Sequence, residues 1–123
     1  MHALDVAGLK IPAITFWTTR EDGVLLGCGA LKELDPAHGE IKSMRTTYAA
    51  RGRGVASAML GHLLAVARER GYARVSLETG VEDYFAAARR MYTRHGFAEC
   101  EAFGSYRPDP NSVFMTRPVS PSG

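Results

Sequence analysis

The sequence predicts an α/β protein of the α+β type, with a mixed, mostly antiparallel sheet around one central parallel βαβ unit. The predicted order is β-β-β-α-β-α-β. Three observations support it: alternating apolar segments open the chain, two apolar stripes of helical period follow, and further alternating segments come after each helix. With 123 residues, 46% of them apolar, residues 1–123 are expected to form a single domain.

The first three strands are predicted to form an antiparallel meander. Ile14–Thr19 and Val24–Leu34 flank Glu21-Asp22-Gly23, and Asp-Gly is a strong hairpin signal. Glu40–Thr46 alternates in the same way and is predicted to be the third strand.

Two helices are predicted from apolar stripes of period 3.6. The first stripe comprises Ala56, Met59, Leu60, Leu63, Val66 and Ala67. The second comprises Tyr84, Phe85, Ala88, Met91, Tyr92 and His95. Gly71 and Gly96 follow the two stripes, where helices often end in a left-handed residue.

Two more strands complete the predicted sheet. The alternating segment "ARVSLET" at 73–79 separates the helices, and Ser112–Arg117 ends the domain. The segment "YRPDPN" before that last strand is too rich in proline for regular structure. The third strand, first helix and fourth strand form the βαβ unit, so those two strands should be parallel.

The loop between the third strand and the first helix is the strongest candidate for a binding site, because open α/β sheets bind ligands at the carboxyl ends of their strands. It carries Arg51, Gly52, Arg53 and Gly54. The first N–H groups of a helix lack internal partners and attract anions. Glycines allow close approach, and arginines add charge. The alternative is an exposed basic turn.

Charge and composition narrow the class of ligand. The segment from Arg45 to Arg94 contains nine arginines and four acidic residues, whereas the whole chain carries a net charge of only +2. This pattern favours an anionic small molecule over nucleic acid. No apolar run approaches the roughly 20 residues of a membrane span. The N-terminus lacks a secretory pattern, so no membrane association and a cytoplasmic location are expected.

Two segments resemble the GNAT family of N-acetyltransferases. Arg51-Gly52-Arg53-Gly54-Val55-Ala56 fits the motif Arg/Gln-x-x-Gly-x-Gly/Ala. "ARRMYTRHGF", Ala88 to Phe97, fits the family's Ala-x-x-x-Tyr-x-x-x-Gly-Phe segment at the expected distance downstream. With the strand order, the resemblance covers about Ile14 to Pro118. It implies the GNAT fold and an acetyl-CoA-dependent N-acetyltransferase that acts on a primary amine of a small molecule or peptide.

The resemblance also implies a cosubstrate site for acetyl-CoA. The backbone of Met44, Arg45 and Thr46 would pair with the pantetheine arm like an added strand. The N–H groups from Arg51 to Ala56 would receive the pyrophosphate, and Ala88 would belong to the same site. The implied cofactor-binding residues are Met44, Arg45, Thr46, Arg51, Gly52, Arg53, Gly54, Val55, Ala56 and Ala88.

Three residues are candidates for the catalytic steps. Tyr92 matches the family's general acid, which protonates the departing CoA thiolate; the alternative is a core aromatic residue. Glu40 and Glu78 are candidates for the general base that an alkyl ammonium requires, or else ordinary strand-surface carboxylates. One residue departs from the family pattern: Phe85 stands where the family often has an asparagine that contacts CoA.

The acceptor side is less defined. The long connection Phe103 to Met115 is expected to shape the acceptor pocket through Tyr106, Arg107, Asp109 and Asn111, with Arg107 suggesting a substrate carboxylate. A proline-stiffened loop without such a role is the alternative.

The beginning of the chain is short for this family. Only about a dozen residues precede Ile14, so the usual N-terminal strand and helices are expected to be absent. An exposed apolar patch and a homodimer are predicted from this.

The sequence also bears on thiol sites, metal sites and alternative functions. Cys28 and Cys100 are interpreted as buried thiols, and no cluster has the spacing of metal ligands, so no metal is expected. Two other functions stay open: a non-catalytic acetyl-CoA-binding module of the same fold, and a nucleic-acid-binding protein that uses the arginine loop.

Overall fold

The computed structural model describes residues 10–11 and 13–120, which form a seven-stranded sheet and two α-helices. The strands are β1 (Lys10–Ile11), β2 (Ile14–Glu21), β3 (Val24–Asp35), β4 (His38–Thr46), β5 (Arg74–Gly80), β6 (Ala98–Cys100) and β7 (Ser112–Pro118). The helices are α1 (Val55–Glu69) and α2 (Ala86–Arg94). The strand order in the sheet is β1-β2-β3-β4-β5-β7-β6.

The predicted fold class is confirmed. β2, β3 and β4 pair antiparallel, and β4 pairs parallel with β5 across α1. The β2–β3 turn places Asp22 at φ +51° and Gly23 at φ +80°, which is the pair of positive values that a type I′ hairpin turn requires. Gly71 and Gly96, the predicted helix ends, also have positive φ.

Two short strands and one helix start differ from the sequence prediction. β1 and β6 have only two and three residues, too few to produce a recognisable alternating pattern. α2 begins at Ala86, because Tyr84 and Phe85 lie in a preceding 3₁₀ turn, Asp83–Phe85.

Both helices pack on one face of the sheet. Met59, Leu60 and Leu63 of α1 share a buried cluster with Met91 and Tyr92 of α2. The strands contribute to the same cluster with Leu31, Ile41, Val75, Leu77 and Met115. The Ser57 hydroxyl and His95 Nε2, 2.7 Å apart, join the start of α1 to the end of α2.

The opposite face is covered in part by the connection between β6 and β7, residues 101–111. Phe103 and Tyr106 lie edge-on or tilted against Phe114 of β7, with ring centroids 5.8 and 5.6 Å apart. His38 contacts Phe103 and hydrogen-bonds with the buried Ser76 at 2.7 Å. The connection has no regular structure, as predicted, yet its aromatic residues fix it to the sheet.

A bulge and a divergence of strands shape β4. Ser43 has φ +56° between the Cys28–Arg45 and Ala30–Lys42 pairs, where the register with β3 shifts. The β4–β5 pairing runs from His38–Arg74 to Ile41–Leu77 and then stops. Residues 42–46 of β4 therefore present a backbone edge that β5 does not use.

Two expectations about exposure are not met. Cys28 and Cys100 are free thiols, as expected, but both are half-buried rather than buried, because each lies on the face of the sheet that the helices leave open. Ile14 and Phe16 of β2 lie on that same face, and they are half-buried, not exposed. The expectation about missing N-terminal elements concerns residues outside the described range.

Candidate active site

The loop of residues 51–54, called the glycine loop below, joins a 3₁₀ turn, Tyr48–Ala50, to α1. Ala50 is buried, and the Thr47 N–H donates to the Leu26 carbonyl at 2.8 Å, which holds the turn against β3. Gly52 and Gly54 have φ +78° and +80°, and a Cβ atom at either position would meet no atom within 4 Å. The glycines thus serve a backbone conformation that other residues rarely adopt, and they face open space.

The start of α1 is uncapped. No side chain accepts a hydrogen bond from its first turn, and that turn has no acidic residue. The N–H groups of Arg51 and Arg53 donate within the loop, to the carbonyls of Tyr48 and Ala50. Among the described residues, those of Gly52, Gly54, Val55 and Ala56 have no acceptor. The available donors are therefore fewer than the six that the motif suggested.

The two arginines of the loop differ. Arg53 pairs with Glu21, the last residue of β2, at 2.8 Å, and both side chains are largely exposed. Arg51 lies between the rings of Tyr48 and Tyr84, with its Cζ 5.2 and 5.9 Å from their centroids. The sequence pattern placed Tyr84 on the apolar stripe of the second helix and indicated no role for either tyrosine at this loop, because the contact joins segments 36 residues apart.

The free edge of β4 contains the predicted pantetheine-binding residues. Met44, Arg45 and Thr46 follow the last β4–β5 pair and precede the glycine loop. On their other side Arg45 and Thr46 pair with Cys28 and Gly27 of β3. This edge can accept an extended ligand as an added strand.

Tyr92 lies in the helical layer. Its side chain is 6% exposed and stands edge-on to Phe97 at 5.8 Å. Burial raises the pKa of the Tyr92 hydroxyl to about 12, which keeps it protonated across the neutral range. Among the described residues the hydroxyl has no hydrogen-bond partner. Ala88, one turn earlier on α2, is half-buried.

The two candidate bases occupy different environments. Glu40 is 2% exposed, so the expectation of a strand-surface carboxylate is wrong for it. Its Oε2 accepts from the Tyr106 hydroxyl at 2.5 Å and lies 3.6 Å from Lys42 Nζ. Glu78 is exposed, and its Oε2 accepts from the Ser112 hydroxyl at 2.6 Å. Of the two carboxylates, Glu78 is the one that is exposed among the described residues.

Lys42, Tyr106 and Glu40 form a connected polar cluster that the sequence did not indicate. Lys42 donates to the Tyr106 oxygen at 3.2 Å while Tyr106 donates to Glu40. The hydrogen bond to Tyr106 is the main cause that raises the pKa of Lys42, and burial is the main cause that raises the pKa of Tyr106. The cluster ties the 101–111 connection to β4.

A cleft of about 500 Å³ opens between this connection and the β6–β7 edge. Its lining residues are Cys100, Glu101, Ala102, Tyr106, Pro108, Asp109, Ser112 and Phe114. Tyr106 and Asp109, two of the four residues expected to shape an acceptor pocket, line this cleft. Arg107 and Asn111 do not line it, and among the described lining residues the charged ones, Glu101 and Asp109, are acidic.

The described residues contain no group of three or more His, Cys, Asp or Glu side chains that could hold a metal ion. No helix among them is long and apolar enough to cross a membrane.

This chain is similar in sequence to known acetyltransferases. A family model described as the acetyltransferase (GNAT) family matches residues 3–97. The uncharacterized N-acetyltransferase YsnE of Bacillus subtilis (strain 168) is 53% identical over 117 residues, which are 95% of this chain and 78% of the relative.

Solved structures show the same fold. A Klebsiella pneumoniae protein described as an acyl-CoA N-acyltransferase superposes with a TM-score of 0.83 at 35% identity, over 95% of this chain and 80% of that one. A Mycobacterium tuberculosis protein in complex with CoA and NLQ superposes with a TM-score of 0.70 at 26% identity, over 85% and 76%.

Proposed function

Because this chain belongs to the GNAT family of acetyltransferases, we propose that it transfers the acetyl group of acetyl-CoA to a primary amine of a small molecule or peptide. The observation that carries the proposal is the juxtaposition of two features: the free edge of β4 leads directly into the glycine loop and the uncapped start of α1. One feature suits an extended amide-bearing arm, and the other suits a diphosphate.

The residues present fit acetyl-CoA, which supplies an activated acetyl thioester when bound. The N–H groups of Gly52, Gly54, Val55 and Ala56, which have no acceptor in the described part of the chain, would donate to phosphate oxygens, and Arg51 adds a cation. The backbone edge of Met44, Arg45 and Thr46 would hold the pantetheine amides. Arg53, which already pairs with Glu21, would contribute less.

The proposed acid and base lie on opposite faces of the sheet. Tyr92 belongs to the helical layer, and its protonated hydroxyl can give a proton to the leaving thiolate. Glu78 is paired with Phe114, which lines the cleft on the other face, and can take the proton of the attacking amine. Glu40, buried behind Tyr106, would act as a positioning residue for the 101–111 connection.

The charge of the cleft favours a cationic acceptor. Glu101 and Asp109 line it, and Glu78 lies beside it through Ser112. Arg107, which suggested a substrate carboxylate, is exposed and lies outside the lining. A protonated amine is therefore the expected acceptor.

Binding of the cosubstrate is the first test. Acetyl-CoA at 100 times its dissociation constant should stabilise the fold by about 2.7 kcal/mol, several degrees in Tm for a domain of this size. Thermal unfolding with and without acetyl-CoA measures this, and ADP serves as the control for diphosphate binding alone. The same Tm with and without acetyl-CoA would contradict the proposal.

Replacement of the two carboxylates tests the general base. Glu78→Gln should lower kcat by about 10²-fold or more, because the amine loses its proton acceptor. Glu40→Gln should instead lower the free energy of unfolding, since it removes the charge that Tyr106 and Lys42 surround. If Glu40→Gln lowered kcat by that factor and Glu78→Gln did not, the two roles would be reversed.

A cytoplasmic homodimer is a separate proposal. It is supported by the sheet face that the helices leave open, where a second chain would bury the part of Ile14 and Phe16 that is still accessible. Light scattering over a range of concentrations should report the mass of two chains. A single-chain mass at the highest concentration would contradict it.

A further inference from the structure

Two large aromatic side chains are exposed beside the glycine loop. Tyr48 is 83% and Tyr84 72% exposed, although both lie next to the proposed phosphate site. Tyr48 precedes the loop in the 3₁₀ turn, and Tyr84 comes from the turn before α2. Their rings are called the aromatic rim below.

Arg51 joins the two halves of the rim. Its guanidinium lies within cation–π distance of both rings, and its Nη2 donates to the Tyr84 hydroxyl at 3.4 Å. The two tyrosines therefore sit around the cation that the proposed function assigns to a phosphate. Because most of each ring remains exposed, ring surface is available to a ligand at the same point.

The Tyr84 half of the aromatic rim packs against Phe85. The Tyr84 ring stands at 89° to the Phe85 ring, with centroids 4.9 Å apart. Phe85 in turn packs so closely over Gly80 that a Cβ atom there would lie 2.5 Å from its ring. The bracing limits the motion of Tyr84, so less conformational entropy is lost when a flat ligand stacks on it. Support of the Tyr84 ring is therefore a structural role for Phe85, which stands where the GNAT family often has an asparagine.

We propose that the aromatic rim stacks the purine base of CoA while Arg51 pairs with one of its phosphates. The inference rests on the proposed function, because the glycine loop must first hold the diphosphate. A base that follows phosphates fixed at the loop lies within reach of the rim. A base can stack on a tyrosine ring without hydrogen bonds to the edge of the base, so stacking can occur on a surface that is open to solvent.

Isothermal titration with two ligands tests the inference without an acceptor amine. The ligands are CoA and 4′-phosphopantetheine, which has the arm and one phosphate but no nucleotide. Tyr48→Ala and Tyr84→Ala should each raise the Kd of CoA by about 5- to 160-fold, the factor that corresponds to loss of one aromatic stacking partner. The Kd of 4′-phosphopantetheine should stay unchanged.

Two control variants separate stacking from general damage. Tyr84→Phe keeps the ring and loses only the hydroxyl contact to Arg51, so its Kd for CoA should stay near the wild-type value. Val24→Ala removes an exposed apolar side chain in the β2–β3 hairpin and should have no effect.

The outcomes are distinguishable. An unchanged Kd of CoA in both alanine variants, or an equal loss for both ligands, would overturn the rim as a base-stacking site. A wild-type protein that binds neither ligand would overturn the proposed function and this inference together.

Discussion

Tyr92→Phe should lower kcat by about 10²- to 10⁴-fold, the usual contribution of a positioned general acid, and leave the Kd of acetyl-CoA unchanged. The substitution removes one oxygen that has no partner among the described residues and keeps the ring against Phe97. Release of free thiol by wild type and variant, measured with the same amine, gives the ratio of rates. Acetyl-CoA binding, followed by thermal shift, provides the control.

The same variant has a distinct effect on stability at high pH. Burial raises the Tyr92 pKa from 10 to about 12, so the hydroxyl favours the neutral form in the folded state. This contribution is fully present below pH 10 and is lost as pH rises towards 12, because the unfolded chain ionises first. Tyr92→Phe should therefore unfold with a weaker pH dependence in that window.

The two readouts separate catalysis from packing. A core aromatic without a chemical role would change the high-pH stability and leave kcat at the wild-type value. Full activity of Tyr92→Phe would thus assign proton donation to another group or to water.

Gly54→Ala should weaken acetyl-CoA binding and destabilise the fold. Gly54 has φ +80°, where a Cβ atom costs about 1–2 kcal/mol even in open space. Relief of that strain would turn the neighbouring N–H groups away from the position in which they can meet a phosphate. Titration with acetyl-CoA and chemical denaturation measure the two effects.

Gly61→Ala is the matched control. Gly61 lies in the exposed middle of α1, where a Cβ atom would also meet no atom within 4 Å, but its φ is not positive. Alanine there should raise the free energy of unfolding by about 0.5–1 kcal/mol and leave binding unchanged. Equal binding by both variants would show that the shape of the glycine loop is not needed for the cosubstrate.

Much of the fold was predictable because its signals are local. The Asp22-Gly23 turn, the stripe of α1 and the glycines that end both helices depend on neighbours a few residues away, and each has the expected conformation. β6 and the 3₁₀ start of α2 were missed because short segments carry no period, and tertiary contacts decide their conformation.

The candidate site was predictable in its backbone and less so in its side chains. The amino-acid sequence by itself determined the mixed sheet, the βαβ unit and the glycine loop at the start of α1, because apolar periodicity and turn formation depend on residues only a few positions apart. Only the tertiary structure decided that Glu40 is buried behind Tyr106, that Arg107 lies outside the cleft, and that Tyr48 and Tyr84 meet around Arg51. The contacts behind these features join residues far apart in the chain. The burial and the neighbours of each side chain therefore depend on tertiary packing, which no local sequence pattern specifies.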